Sequence, residues 1–598
     1  MSSLSLSDAV RTLADAARPE RRRLFAGTIA LMLVGALAEL ATIGAVLPFL
    51  AIVTDPSRAR RYDAINWLFE QVGGTNEWLI LACAGILILI AIGAGLVRLL
   101  LTWLNLKFVL LYGHDVGVQI FSRQLRQPYS DFVTRNSSDS IAALEKLNAV
   151  VFGVLMPVMQ GIAAGVISVF IIVCLFFIDP VAASGAGLSL GATYFFVTLA
   201  TRRQLAHNSK AFSAAASGRV KVVQEGLGGI RDILIDNSQG VFETSFAELD
   251  YRYRRALVVN NMIAFSPRYV VETTVIVLIA VFTVYFAQQP GGLIAAVPVL
   301  GALAIGAQRL LPLMHLAYNG WTSFVGNRQL VIDVAALLRI PVRPAPAPSA
   351  VAALPPLARD IVIDAVTFRY LSREDALRDV SLTITKGERI GFVGQTGSGK
   401  STLIDLLMGL LPASEGEIRI DGVPLDDDTL SAWQAQIAHV PQVIYLSDGA
   451  IASNIAFGVP ADRIDMARVR DAARRADIDD FIMRQPQGYG TTVGERGVRL
   501  SGGQRQRIGI ARALYKGASV LVFDEATSAL DEGTEAAIME SIYRLDSDVT
   551  LLMIAHRLST LAGCDRIVRL DKGAIVDVRP QAGAGGATIS AAPRSPGS

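Results

Sequence analysis

Six long apolar stretches, separated by polar segments, dominate the first half of the chain. Each is near or above the ~20 residues that a helix needs to cross a bilayer, so we predict six transmembrane helices. They occupy residues 25–53, 78–104, 150–177, 181–201, 263–287 and 291–316. Short gaps at Asp179-Pro180 and residues 288–292 predict tight outer hairpins. The polar, helix-permissive segments 105–149 and 202–262 predict helices that continue into the cytosol.

The second half changes to short apolar strands that alternate with helical patterns, which is typical of an α/β domain. A Pro/Ala-rich stretch, residues 341–357, predicts an extended linker between the halves. We therefore divide the chain into a transmembrane domain, a linker, an α/β domain and a Gly/Ala/Ser/Pro-rich disordered tail. These parts are residues 1–340, 341–357, 358–580 and 581–598.

Charge and composition agree with a membrane protein. Four arginines, Arg18 and Arg21 to Arg23, precede the first span and hold the N-terminus inside. Six crossings return the chain to the cytosol, so we predict a multi-pass protein with both termini cytoplasmic. The first span is too long for a removable signal peptide. The net charge of +2 suggests no nucleic-acid partner, and three scattered cysteines predict neither disulfides nor a metal site.

One glycine-rich loop has the residues that hold nucleotide phosphates. It follows an apolar strand pattern, residues 389–393, and opens a helix pattern, residues 402–411. Its glycines turn backbone N–H groups inward, Lys400 supplies charge to the β- and γ-phosphates, and the Ser401 hydroxyl can ligate Mg²⁺. We therefore predict ATP and Mg²⁺ as cofactors. The candidate residues are Gly394, Gln395, Thr396, Gly397, Ser398, Gly399, Lys400, Ser401 and Thr402.

A second motif narrows the interpretation. Leu500-Ser-Gly-Gly-Gln504 precedes a helical stretch, and the N-terminus of a helix suits a γ-phosphate. Here the chain resembles the ATP-binding cassette family, whose signature is this pentapeptide. The resemblance implies that Ser501, Gly502, Gly503 and Gln504 close over ATP held by the phosphate loop of a second cassette. With one loop and one signature, the chain is expected to be a half-transporter that forms a homodimer.

Other cassette positions match the family residue by residue, and the resemblance implies their roles. Asp524 and Glu525 end the apolar run from Val520. Asp524 is the expected ligand of the Mg²⁺ shell, and Glu525 the general base that polarises the attacking water. His556 is the expected switch histidine at the γ-phosphate.

Three further positions complete the expected ATP site. Gln442 matches the loop that contacts Mg²⁺ and water and responds to the membrane domain. Tyr370 matches the aromatic residue that stacks on adenine, and Asp531 the loop that links the two ATP sites. The segment from Thr492 to Gly497 resembles one that marks exporters.

The predicted fold class is therefore a six-helix membrane domain of the exporter type fused to a cytosolic α/β phosphate-loop ATPase. The resemblance implies an ATP hydrolase coupled to transport in the bacterial inner membrane. A soluble cassette ATPase of DNA repair or translation is excluded by the six spans. A non-catalytic receptor-like cassette is disfavoured because Lys400, Glu525 and His556 are all present.

Three arginines in the spans indicate the cargo. Arg98, Arg268 and Arg309 each lie about twenty residues from an outer helix end, hence roughly 25–30 Å from the outer surface. In a dimer they would form a ring of six at the depth of inner-leaflet headgroups. The competing interpretation is that they snorkel as part of the positive-inside bias.

Two carboxylates accompany these arginines. Glu272 lies four residues after Arg268, on one face of a helix, so we expect an ion pair. Glu39 lies midway along the first span and costs about 2.5–3.5 kcal/mol there if unpaired, so we expect it to face the cavity or another helix. Short coupling helices are expected near residues 136–139 and 226–232.

The membrane half resembles the bacterial lipid-linked-oligosaccharide flippase of protein N-glycosylation. The resemblance rests on Glu39 with Ala45-Val-Leu-Pro48-Phe49, on Ser266-Pro-Arg268, on Arg309-Leu-Leu-Pro312 and on an amphipathic outer segment, residues 55–73. It implies a polyprenyl-pyrophosphate glycan as cargo, with membrane lipids as surroundings, and arginines that bind the pyrophosphate. A lipid A or phospholipid flippase, and a multidrug or peptide exporter of the same fold, remain as alternatives.

Overall fold

The computed structural model describes residues 4–54, 63–71, 75–133, 137–178, 180–287, 292–343, 354–370, 375–525, 532–543, 548–555 and 558–581. Its contacts divide the chain into two compact units. A helical unit comprises Met1–Gln127 and Val133–Val342, and an α/β unit comprises Pro128–Phe132 and Arg343–Ser598.

Long helices build the helical unit, because apolar runs of this length satisfy their backbone groups internally. Its elements are α1 (Leu6–Asp15), α2 (Pro19–Thr54), α3 (Asp63–Gln71), α4 (Asn76–Leu125), α6 (Ser137–Val150), α7 (Met156–Ile178), α8 (Pro180–Gly228), α9 (Ile230–Ile235), α10 (Gln239–Ala287), α11 (Gly292–Gly326) and α12 (Arg328–Leu337). A π-helical turn, Val151–Leu155, joins α6 to α7.

Four of the six predicted spans lie within one long helix each, namely α2, α4, α8 and α10. The span 150–177 begins at the end of α6 and crosses the π-helical turn into α7, and the span 291–316 corresponds to α11, which begins at Gly292. Among the described residues, three stretches are long and apolar enough to cross a membrane: Pro19–Val46, Asn76–Leu125 and Ile141–Phe177. Both α8 and α10 have 49 residues, about 73 Å at 1.5 Å per residue. Because that exceeds the bilayer thickness, each helix extends well past its predicted span, as expected for the polar segments that flank the spans.

The predicted chain reversals agree with the helix ends. α7 ends at Ile178 and α8 begins at Pro180, while α10 ends at Ala287 and α11 begins at Gly292. Residue 179 and residues 288–291 lie outside the described residues.

One of the two expected short helices is placed differently. The short helix α5 spans Tyr129–Val133, whereas α6 already begins at Ser137, so the expectation near residues 136–139 was wrong. Ser and Asp favour helix starts as well as turns, which explains the misreading. A short helix does occur at the second segment, where α8 ends at Gly228 and the six-residue helix α9 follows Gly229; its coupling role stays a prediction.

Two sheets form the α/β unit. The strands are β1 (Asp360–Arg369), β2 (Asp375–Thr385), β3 (Arg389–Val393), β4 (Glu415–Ile420), β5 (Val423–Pro424), β6 (Ile437–Val440), β7 (Val520–Asp524), β8 (Thr550–Ile554), β9 (Arg566–Asp571) and β10 (Ala574–Pro580). One sheet has the order β2-β1-β4-β5 and is antiparallel. The other has the order β10-β9-β3-β8-β7-β6 and is parallel except at β10.

Helices cover the parallel sheet, whose strands are apolar because both faces are buried. From β3 onward, the α-helices in the described part are α13 (Lys400–Leu407), α14 (Leu430–Ala435), α15 (Ile451–Ile455), α16 (Met466–Arg475), α17 (Asp479–Met483), α18 (Gly502–Lys516) and α19 (Glu532–Tyr543). Side chains of this sheet belong to two buried hydrophobic clusters, one of which includes Phe523 and the other Phe392. The loops after β3, β6 and β7 leave the same edge of this sheet, where ligands of parallel α/β sheets bind.

Candidate functional site

The loop after β3 has the backbone that a phosphate site requires. Gly394 and Gly399 have φ values of +154° and +100°. A Cβ on Gly394 would lie 2.3 Å from the Leu570 carbonyl oxygen, and one on Gly399 would lie 2.8 Å from that of Ala376. Only glycine fits both positions without a shift of backbone.

Lys400 begins α13 and is 7% exposed. Its ammonium donates to the carbonyls of Gly394 and Gln395, each at 2.9 Å. The charge is therefore held at the loop, where it can meet phosphate oxygens. Tyr370 follows β1, is exposed, and packs edge-on against Phe368 with ring centroids 4.8 Å apart. Its hydroxyl lies 3.4 Å from that of Thr402, so Tyr370 stands beside the phosphate loop, and its stacking on adenine stays a prediction.

Neighbouring parallel strands bring the predicted acid and amide together. β6 and β7 pair in register, and the loop after β6 places Gln442 beside the residue that follows β7. The Gln442 amide donates to Glu525 Oε2 at 2.7 Å. Glu525 has a left-handed backbone, φ +49°, whose N–H donates to the Ile554 carbonyl at 3.0 Å. Strained backbone of this kind is tolerated where surrounding contacts hold it, often at functional sites.

Asp524 ends β7 next to this pair. Burial raises the pKa of its carboxyl, the neighbouring Glu525 raises it further, and Lys400 opposes the shift. Two adjacent carboxylates at a half-buried position would be stabilised by a cation.

Mg²⁺ fits the oxygen donors present. Ser401 offers a hydroxyl, Asp524 a carboxylate and Gln442 an amide oxygen, since its amide nitrogen is the group that faces Glu525. Among the described residues no group of three or more Asp, Glu, His or Cys assembles. Mg²⁺ commonly uses one or two carboxylates and completes its shell with nucleotide oxygens and water, so this donor set is adequate.

Asp405 was missed at the sequence level. It lies on α13, and burial together with the charge of Asp524 raises its pKa to about 6. The signal was available, because Asp405 is four residues after Ser401 and residues at that spacing share a helix face. The sequence does not show how α13 lies against the strand that ends at Asp524. It therefore did not reveal that the Asp405 and Asp524 carboxyls are neighbours.

The predicted signature forms the start of α18. Ser501 is the N-cap, and its hydroxyl accepts from the Gln504 backbone N–H at 3.3 Å. The Gln504 side chain accepts from the Ser501 backbone N–H at 2.9 Å, which completes a capping box. Gln504 therefore stabilises the start of the helix. Ser501 is exposed, and the N–H groups of Gly502 and Gly503 lie at the helix N-terminus, where an anion can bind. His556 and Asp531 lie outside the described residues.

In the helical unit, Glu39 joins two of the three predicted arginines. Its Oε1 lies 3.0 Å from Arg98 Nε on α4, and its Oε2 lies 3.4 Å from Arg309 Nη1 on α11. Glu39 is 4% exposed. The expectation that it faces another helix is confirmed, and its bridging of two arginines was not foreseen.

The third arginine makes the predicted local pair. Arg268 Nε lies 2.7 Å from Glu272 Oε1, and both side chains are partly exposed. No ion pair among the described residues joins this pair to Glu39. His315 on α11 was missed: its ring stacks on Phe265, with centroids 5.7 Å apart. One histidine in an apolar span gave no sequence signal beyond its polarity.

Comparisons with known proteins cover both units. A family model described as ABC transporter matches residues 377–528, and one described as ABC transporter transmembrane region matches residues 25–304. A protein of Alkalilimnicola ehrlichii named ATP-dependent lipid A-core flippase is 31% identical over 89% of this chain and 90% of its own length. A protein of Cupriavidus metallidurans with the same name is 32% identical over 77% of each chain.

A solved structure also resembles the whole chain. It is described as a bacterial Atm1-family ABC exporter with ATP bound, and it matches with a TM-score of 0.74 and 26% identity. The match covers 94% of this chain and 96% of that one.

Proposed function

Since this chain belongs to the ABC transporter family, as a half-transporter of the exporter fold that hydrolyses ATP to drive transport, we propose that its cargo is a phosphate-bearing lipid. The protein would move this lipid from the inner to the outer leaflet of the bacterial inner membrane, as a homodimer with both termini cytoplasmic. Mg²⁺ held by Ser401, Gln442 and Asp524 would neutralise the transferring phosphoryl group.

One observation carries the cargo proposal: Arg98 and Arg309 converge on a single carboxylate inside the helical unit. Their charges sum to +2 against −1 for Glu39, so the cluster keeps a net +1 in each chain. Charged side chains at membrane depth are costly and usually mark a pathway. A guanidinium binds phosphate oxygens with charge-assisted, often bidentate hydrogen bonds. A cavity that binds uncharged drugs would gain no binding energy from the net positive charge of this cluster.

We propose a polyprenyl-pyrophosphate-linked oligosaccharide as the specific cargo, because its diphosphate places negative charge at one point of the headgroup. The second candidate is a lipid A-type glycolipid, which the names of the relatives favour. Both share an anionic phosphate headgroup and long apolar chains.

Flipping assays with defined lipids test this proposal. Proteoliposomes would receive a polyprenyl-pyrophosphate glycan, a lipid A-core glycolipid or zwitterionic phosphatidylethanolamine, each with a label that an outside reagent can reach. We expect ATP-dependent flipping of one of the first two, and none in matched vesicles that contain Lys400→Ala. Flipping of phosphatidylethanolamine alone, or transport only of an uncharged drug, would overturn the proposal.

A further inference from the structure

We propose that Glu39 is an internal counter-ion that competes with the cargo phosphate for Arg98 and Arg309 and thereby limits how tightly the headgroup is held. This inference rests on the proposed function. It concerns how the site releases its ligand.

The contacts and burial of Glu39 differ from those of an ordinary surface ion pair. Its two carboxylate oxygens meet guanidinium groups that come from two different helices, as the oxygens of a bound phosphate would. The Glu39 side chain is 6% exposed, whereas those of Arg98 and Arg309 are 43% and 35% exposed. Glu39 therefore occupies the inner side of the cluster, and the arginines present their remaining surface outward.

The contacts of Arg98 leave it able to bind a second anion. Its Nε makes the contact with Glu39 and also donates a weak hydrogen bond to the Ala94 carbonyl, at 3.4 Å. An incoming phosphate would approach from the exposed side, opposite Glu39. It would meet a cluster of net charge +1 instead of +2, because Glu39 cancels one arginine.

A transport site must bind its cargo strongly enough to load it and weakly enough to release it. Two arginines without a counter-ion would hold a diphosphate tightly in a medium of low dielectric constant. Glu39 lowers that affinity, because its negative charge cancels that of one arginine while the phosphate is bound. The competing interpretation is that Glu39 only neutralises the arginines so that the helices insert.

Glu39→Gln separates the two interpretations, because it keeps the shape of the side chain and removes the charge. Binding of geranylgeranyl diphosphate to the full-length protein in nanodiscs would be measured, together with KM and kcat for flipping of the cargo lipid in proteoliposomes. If Glu39 weakens phosphate binding, then removing its charge should make diphosphate binding about tenfold tighter and should lower KM. It should also lower kcat, because the phosphate then leaves slowly. The control Glu248→Gln breaks an exposed Arg–Glu pair with Arg252 on α10 and should change none of these three values.

Unchanged or weaker diphosphate binding by a folded Glu39→Gln protein, with only kcat reduced, would overturn the inference. If the single variant does not fold, the same change is made in an Arg309→Gln background. There the double variant should bind the diphosphate more tightly than Arg309→Gln alone, and equal binding would contradict the proposal. A wild-type protein that neither binds the diphosphate nor flips any phosphate-bearing lipid would instead refute the proposed function.

Discussion

Replacing Glu525 by Gln should stop ATP hydrolysis while leaving ATP binding intact. In the structure, Glu525 Oε2 accepts a hydrogen bond from the Gln442 amide at 2.7 Å. The amide oxygen of a glutamine can accept the same bond, so the loop after β6 keeps its position. What is lost is the carboxylate that accepts a proton from the attacking water.

The size of the loss follows from the role of a general base. Such a group contributes on the order of 10²–10⁴-fold, which corresponds to about 2.7–5.5 kcal/mol of activation free energy. The left-handed backbone of residue 525, φ +49°, is unchanged because Glu and Gln have similar backbone preferences. The free energy of unfolding should therefore change little.

The assay is phosphate release by the purified full-length protein, with nucleotide binding measured in parallel. We expect hydrolysis to fall by at least about a hundredfold, with ATP affinity within about threefold of the wild type. Glu417→Gln, on the exposed β4 pair with Arg419, provides a matched carboxylate control that should hydrolyse ATP normally. Hydrolysis by Glu525→Gln within about threefold of wild type would refute the assignment of the base.

Two further predictions concern assembly and the missed carboxylate. Mixed Lys400→Ala and Ser501→Arg chains should regain ATPase activity that neither homodimer has, because one composite site of the heterodimer is intact. No recovery after verified subunit exchange would mean either that the composite geometry is wrong or that hydrolysis needs two intact sites. Asp405→Asn should raise the free energy of unfolding of the nucleotide-free full-length protein at pH 7.5 by roughly 1–2 kcal/mol, after allowance for solvent screening. The pKa of Asp405 is raised to about 6 in the folded state, so its charge costs stability as pH rises from about 4 through 6. The gain should vanish below about pH 4, and an equal gain at pH 4 and pH 7.5 would show that charge is not the cause.

The sequence was most informative where the backbone itself makes the site. The phosphate loop and the start of α18 need particular residues at fixed spacing, because Gly394, Gly399 and the Ser501–Gln504 capping box define local geometry. Hydrophobic length was similarly sufficient to locate the long helices. Local patterns of this kind are read within one element and do not depend on packing.

Contacts between elements were harder to foresee. Arg268 and Glu272 lie on one helix, so their pair was predictable, whereas Glu39 meets arginines that are 59 and 270 positions away in the sequence. The neighbourhood of Asp405 and Asp524 likewise depends on how α13 lies against β7. The first short helix was misplaced because Ser and Asp residues favour both turns and helix starts.

The most direct measurement of cargo recognition is ATP-dependent flipping of the phosphate-bearing lipid by variants of Arg98, Arg268 and Arg309 in proteoliposomes with matched protein amounts. We predict that the triple Ala variant loses flipping, and that Lys at these positions restores it only in part, because an ammonium lacks the planar fork for two phosphate contacts. Full flipping by the triple Ala variant, or full function with Lys at all three positions, would contradict phosphate recognition by these arginines.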